Sequence, residues 1–142
     1  MRILVATDGS EYSEAATKMV MAEWQPKDTE IRVLNVVDLA LPIPTLYATG
    51  YREESLREAE EVVHKAEVRL LNAGYKVETA VEEGDPKTRI IEDAAKWKAD
   101  IVVLGCHGRK GLDRFFMGSV SDEVSRYAPC TVEIVRASAG TH

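Results

Sequence analysis

At 142 residues, 45% hydrophobic and 30% charged, the chain has the size and composition of one soluble globular domain that needs no staples. Its formal net charge of −6, with no basic cluster, argues against nucleic acid as a partner, because phosphate neutralisation supplies most of that affinity. No apolar run reaches transmembrane length, Met1–Ala6 is too short for a signal-peptide core, and Cys106 with Cys130 makes no disulfide framework, so neither a membrane nor an oxidising compartment is expected and the cytoplasm is.

Ile3-Leu4-Val5-Ala6 reads as a strand buried on both faces, since it is apolar without alternation. The turn cluster Thr7-Asp8-Gly9-Ser10 ends it, and Ser10 or Asp8 can cap the helix that follows. That helix places Ala15, Ala16, Met19 and Val20 on one face and stops before Pro26. Ile31–Val37 is a second strand. Leu39–Gly50 carries Pro42 and Pro44, so no regular structure is expected there. Its apolar side chains fit either a loop packed on the surface or a lid or oligomer contact.

Arg52–Asn72 carries Leu56, Ala59, Val63, Ala66 and Leu70 at alternating spacings of three and four, the stripe of an amphipathic helix, with Gly74 as its terminating glycine. Tyr75–Val81 alternates and reads as an edge strand. Asp85-Pro86 starts a helix in which Ile90, Ile91, Ala94, Ala95 and Trp97 face inward. Asp100–Leu104 is a buried strand ending at Gly105. Ser119–Ala128 is a last helix with Val120, Val124 and Tyr127 inward, and Ser119 with Asp122 fits an N-cap pattern. Thr131–Val135 is the last strand. Strands alternating with helices predict a parallel sheet covered on both faces, with ligands at the carboxyl ends of the strands where the strand order reverses.

Two of those ends carry unusual loops. Gly105 to Ser119, G-C-H-G-R-K-G-L-D-R-F-F-M-G-S, combines a glycine at a strand end, further glycines at 108, 111 and 118, and the start of a helix. Glycines let successive N–H groups face one anion, and a helix N-terminus favours phosphate. Arg109, Lys110 and Arg114 make this the most basic stretch of an acidic chain. Each glycine alone could be turn chemistry; together they favour anion binding. Neither G-x-x-x-x-G-K-[ST] nor G-x-G-x-x-G occurs, so the loop is not a P-loop and a dinucleotide fold is disfavoured.

Gly105-x-x-Gly108, nine residues, then Gly118-Ser119 resembles the G-x2-G-x9-G-[ST] signature of the ATP-binding branch of the universal stress protein family. Asp8-Gly9-Ser10 with Ser13, Leu34–Asp38 and Ala128–Val132 resemble its first loop, second strand end and last strand. The resemblance implies a five-stranded parallel α/β sheet in order 3-2-1-4-5. It implies one nucleotide-binding domain over residues 1–137 with a flexible tail at 138–142. By the same resemblance Asp8 would meet the ribose, with Ala6 and Thr7 beside it; Val36 would contact adenine through its backbone; Leu104 and Gly105 would line the ribose side; and Gly108, Arg109, Gly118, Ser119 and Val120 would hold the phosphates. The implied ligand is ATP, with ADP and AMP sharing its adenine and ribose contacts and Mg2+ supplied from solvent. The implied assembly is a homodimer through the last strand.

Other candidates carry less. Asp8 could simply cap a helix, His107 could reach a phosphate or point to solvent, and Cys106, His107, Cys130 and His64 lack zinc-ligand spacing. His64 is expected to be exposed among charges. Two functions stand: a nucleotide-binding stress or signalling module, and a slow ATPase or nucleotidyl transferase. Only Asp8 and Asp113 lie close to the loop as acids for holding a metal, which disfavours the enzyme. A receiver domain would want clustered acids after the first strand, where Asp8 stands alone.

Overall fold

The computed structural model describes residues 1–39, 45–105 and 118–136, with backbone alone for 45–49. The elements are β1 (Arg2–Ala6), α1 (Glu11–Glu23), β2 (Glu30–Val37), α2 (Thr45–Asn72), β3 (Lys76–Glu83), α3 (Pro86–Trp97), β4 (Ile101–Gly105), α4 (Ser119–Tyr127) and β5 (Thr131–Val135), with a short 3-10 turn at Pro26–Asp28. All strand pairs are parallel and the order is β3-β2-β1-β4-β5, as the sequence predicts.

β1 is apolar without alternation because its two faces feed two cores. Ile3 and Val5 pack with Ala16 and Val20 of α1 and Val63 and Leu70 of α2. Leu4 and Ala6 pack on the other face with Ile90 and Ala94 of α3 and Val124 of α4. Alternate side chains of a strand point to opposite faces, so a stretch covered on both sides, here Ile3–Ala6, reads as a continuous apolar run.

Ser10 is the N-cap of α1, its hydroxyl accepting from the Ser13 N–H at 3.2 Å. α2 closes as expected: Gly74 sits at φ +96°, its N–H bonds the Leu71 carbonyl, and the Tyr75 N–H bonds the Leu70 carbonyl. That pair of bonds is the Schellman arrangement. Asp85 caps α3 in position, yet its carboxylate accepts from the Thr88 hydroxyl at 3.0 Å rather than from a backbone N–H.

The structure corrects four expectations. α2 begins at Thr45, so residues 45–50 are helical rather than irregular. A proline that precedes a helix in sequence need not break it; residues 40–44, with Pro42 and Pro44, lie outside the described residues, and with them most of the lid reading. Gly118, not Ser119, is the N-cap of α4. Tyr127 is 61% exposed rather than inward, and Ala95 is exposed, one step off the Ile90–Ala94 stripe. The segment expected as a tail lies outside the described residues.

A polar network crosses the α3 face. The Arg32 guanidinium from β2 donates to both Asp93 oxygens, at 2.8 and 3.0 Å, and to Glu78 at 2.6 Å. The Asp93 side chain is only 7% exposed. Glu82 lies on the same sheet face, and burial raises its carboxyl pKa; a hydrogen bond to Asp93 and the charge of Asp93 push the same way, against the pull of Arg32 and Arg89. Losing Arg32 would leave two facing carboxyls without their cation. Arg32→Met should therefore destabilise the protein by about 3–5 kcal/mol in urea unfolding, and a second change, Asp93→Leu, should return much of it. An unchanged midpoint in Arg32→Met would refute the network. Glu82 also sets a pH dependence. A carboxyl whose folded pKa is raised binds its proton more tightly when folded, so stability falls as pH rises from the unfolded value through the folded one. Glu82→Gln should flatten the fall in unfolding midpoint measured between about pH 4 and about pH 7; an identical slope in both proteins would show that Glu82 does not contribute.

Candidate functional site

The carboxyl edge of the sheet is stepped. β1 ends at Ala6, paired with Leu34, while β2 runs on to Val37. The Thr7 N–H still reaches the Leu34 carbonyl at 2.9 Å, and the Val37 carbonyl accepts from Gly84 at the β3 side. Backbone groups alternate in direction along a strand. The N–H and C=O of Val36 therefore face the β1 side, at a level where β1 has already stopped. On the far side β4 ends at Gly105, next to β1. The crevice over the end of β1 lies where the order reverses, with β2 and β3 on one side and β4 and β5 on the other.

The turn leaving β1 is held by its own side chains. The buried Thr7 hydroxyl donates to the Ser13 hydroxyl at 2.9 Å, and Ser13 donates on to the Ser10 carbonyl at 3.0 Å. The Gly9 N–H bonds the Thr7 hydroxyl at 3.3 Å, and the Ser10 N–H bonds Asp8 Oδ1 at 2.9 Å. Asp8 thus closes an Asx turn rather than capping α1. Gly9 sits at φ +83°, with a Cβ there only 2.9 Å from Val62 Cγ2, so the turn requires glycine both for its backbone and for the approach of α2.

Gly105 has a different use from the one its position suggests. A Cβ on it would lie 2.6 Å from the backbone carbon and 2.7 Å from the carbonyl oxygen of Tyr12. The glycine lets the end of β4 touch the first turn of α1, an inward contact. On its other side the Gly105 carbonyl accepts from the buried Ser121 hydroxyl at 2.7 Å. That bond holds the first turn of α4 at the end of β4. With glycine as N-cap, no side chain bonds the first N–H groups of α4 from the cap position; the first helical bond runs from Asp122 N–H to Gly118 carbonyl at 3.0 Å. A helix start of this kind presents N–H groups and a positive dipole end to an anion.

Of the residues singled out in the sequence, Ala6, Thr7, Leu104 and Gly105 are buried at the ends of β1 and β4. Asp8, Val36, Gly118 and Val120 are half-buried, and Ser119 is exposed at the first position of α4. Hydrogen bonds and register bring the β1, β2, β4 and α4 members to one edge. Gly108 and Arg109, like Cys106 and His107, lie outside the described residues. Ser13 and Ser121 were not singled out as site residues. The i, i+3 spacing of Ser10 and Ser13 is a capping signal that points to the first; nothing in the local pattern distinguishes Ser121 from a solvated helix serine.

A cleft of roughly 310 Å3 opens from Thr7, Asp8 and Gly9 and continues between α1 and α2, past Val62 to Arg69. The Glu14–Lys65 ion pair, at 3.2 Å, joins the two helices. Among the described residues no three His, Cys, Asp or Glu side chains converge as metal ligands, and no helix is long and apolar enough to cross a membrane. His64 is exposed, with its side chain 73% accessible beside Glu67.

Comparison with known proteins agrees with this architecture. The model of the universal stress protein family matches residues 1–136. A universal stress protein of Methanocaldococcus jannaschii is 36% identical over 139 residues, covering 95% of this chain and 81% of that one. The solved universal stress protein of Lactobacillus plantarum superposes with a TM-score of 0.86 at 23% identity, over 96% of this chain and 97% of that one. An Arabidopsis thaliana family protein, solved with AMP bound, superposes with a TM-score of 0.77 at 18% identity, over 99% of this chain and 94% of that one. From the match along nearly its whole length, the chain belongs to the universal stress protein family.

Proposed function

We propose that this chain binds an adenine nucleotide, ATP first among them, along the carboxyl edge of the sheet, and that it works as a stress-response signalling module. The observation that carries the reading is the glycine-capped start of α4 held beside the end of β4 by Ser121. That turn offers N–H groups to phosphate at the point where the strand order reverses.

In this reading the backbone of Val36 meets adenine, and Asp8, with Ala6 and Thr7, meets the ribose. Leu104 and Gly105 line the ribose side. Gly118, Ser119 and Val120 hold the phosphates together with Gly108 and Arg109, and Mg2+ arrives with the nucleotide. The AMP carried by the Arabidopsis protein supports an adenine nucleotide as the ligand class, and the G-x2-G-x9-G-[ST] spacing supports the triphosphate. The homodimer would form through β5, which is an edge strand within the chain.

The test begins with the purified protein, denatured to release whatever nucleotide it carries, and continues with thermal unfolding in added ATP, ADP and AMP. ATP at about 100 times its dissociation constant should add ~2.7 kcal/mol of stability. Gly118→Val, which puts a branched side chain at the cap position where the phosphates are proposed to lie, should abolish that gain. No copurified nucleotide and no shift from any of the three would sink the reading. Rapid phosphate release from Mg-ATP that disappears in Gly118→Val would replace the signalling module with an ATPase.

A further inference from the structure

We propose that Ser121 is a positioning residue that sets the phosphate end of the site, and with it the preference for a triphosphate over a monophosphate. This rests on the nucleotide reading above and adds a residue and a specificity to it.

Ser121 is 2% exposed and donates its hydroxyl to the Gly105 carbonyl at 2.7 Å. Gly105 also stands against the Tyr12 backbone, with no room for even a Cβ. One strand residue is therefore wedged between the first turns of two helices. The wedge fixes β4 against α1, and the hydroxyl fixes α4 against β4. Ser121 lies in the first turn of α4, so its hydrogen bond sets where the leading N–H groups stand relative to the Asp8 turn on β1. It also fixes how far apart Gly105 and Gly118, the two ends of the glycine-rich stretch, are held.

The geometry of the sheet divides the ligand between elements. Adjacent strands lie about 4.8 Å apart. A nucleotide with its base at β2 and its ribose at β1 brings its first phosphate no farther than the neighbourhood of β4. The later phosphates extend toward the start of α4. Displacing that turn by a few tenths of an ångström costs the triphosphate its contacts and leaves the monophosphate nearly unaffected, because charge-assisted bonds to a helix N-terminus act only at contact distance.

Calorimetric titration of wild type, Ser121→Ala and Ser121→Thr with ATP and with AMP tests this. Ser121→Ala should weaken ATP about tenfold, equivalent to ~1.4 kcal/mol, and change AMP by less than about twofold, within the scatter expected for an untouched contact. Ser121→Thr keeps the hydroxyl and should restore the wild-type ratio. Ser121→Cys, which keeps a weak donor at similar size, should do so in part and replaces Ser121→Thr if the added methyl lowers the unfolding temperature. Equal weakening of both ligands by Ser121→Ala would mark a merely structural serine and overturn the proposal, as would an unchanged ATP-to-AMP ratio. Wild-type protein that binds neither ligand would instead refute the nucleotide reading, and this inference with it.

Discussion

The central strand β1 carries the rest of the structure. It is five residues long, hydrogen-bonded on both sides, and buried on both faces. Its buried stretch Ile3–Ala6 holds no charge, because an unpaired buried charge costs several kcal/mol, and the one charged residue of the strand, Arg2, stands at its partly exposed start, paired with Glu30. The polar chemistry of that stretch is therefore deferred to the residue at which it ends. The chain then leaves by α1 to reach β2 on one side, while the later strands β4 and β5 add on the other. The same requirement that makes Ile3–Ala6 apolar thus concentrates the polar residues Thr7, Asp8 and Ser10 at the mouth of the crevice that the reversal creates.

A polar turn in that position is itself partly buried, and its donors and acceptors need partners within the protein. Among the described residues no buried side-chain nitrogen or oxygen lacks one. Thr7, Ser13 and Ser10 satisfy one another in a chain of hydroxyls that ends on a backbone carbonyl. Each link costs more to break than an exposed bond would, because the group left behind stays out of water. The Asp8 turn is therefore held by bonds within the protein, and so is the α4 start, through Ser121 and Gly105. The Arg32–Asp93 pair performs a comparable service on the α3 face, tying β2 to the helix that covers it.

Which parts were legible in the sequence follows from the range of the interaction concerned. Periodicity reports local packing, so the parallel α/β class, the stripe of α2 and the glycine stop at Gly74 are readable from it, whereas the strand order is implied only by the family resemblance. The α2 start is not readable, because a proline constrains mainly what precedes it, and a helix can begin directly after Pro42 and Pro44 in the chain. Tyr127 sits near the end of a nine-residue helix, where one residue of phase decides whether a side chain faces in or out. Gly105 is legible as the strand-end glycine of a loop expected to approach a ligand. The sequence could not say that the approaching group is the Tyr12 backbone, since that contact joins residues far apart in the chain. Ser121 was hidden for the same reason: its partner is a carbonyl, and carbonyls are anonymous in a sequence.

The remaining difficulty is electrostatic: a chain of net charge −6 is an unpromising host for a phosphate. Range and local cations reduce it. The exposed acids Glu53, Glu54 and Glu60 of α2 do not line the cleft beside Asp8, and salt screens charges beyond about 8 Å; Glu58 and Glu61 do line it, in company with Lys65 and Arg69. In the first turn of α4, Asp122 is paired with Arg126 at 3.2 Å. Backbone N–H groups act at contact, carry no counter-charge to be displaced, and are already oriented. A small anion at the start of α4 would meet these short-range donors first, whereas a long polyanion would meet the acidic surface along its length. In the proposed reading the acidity therefore favours a nucleotide over nucleic acid, and leaves selectivity to the few groups that β1, Gly105 and Ser121 place.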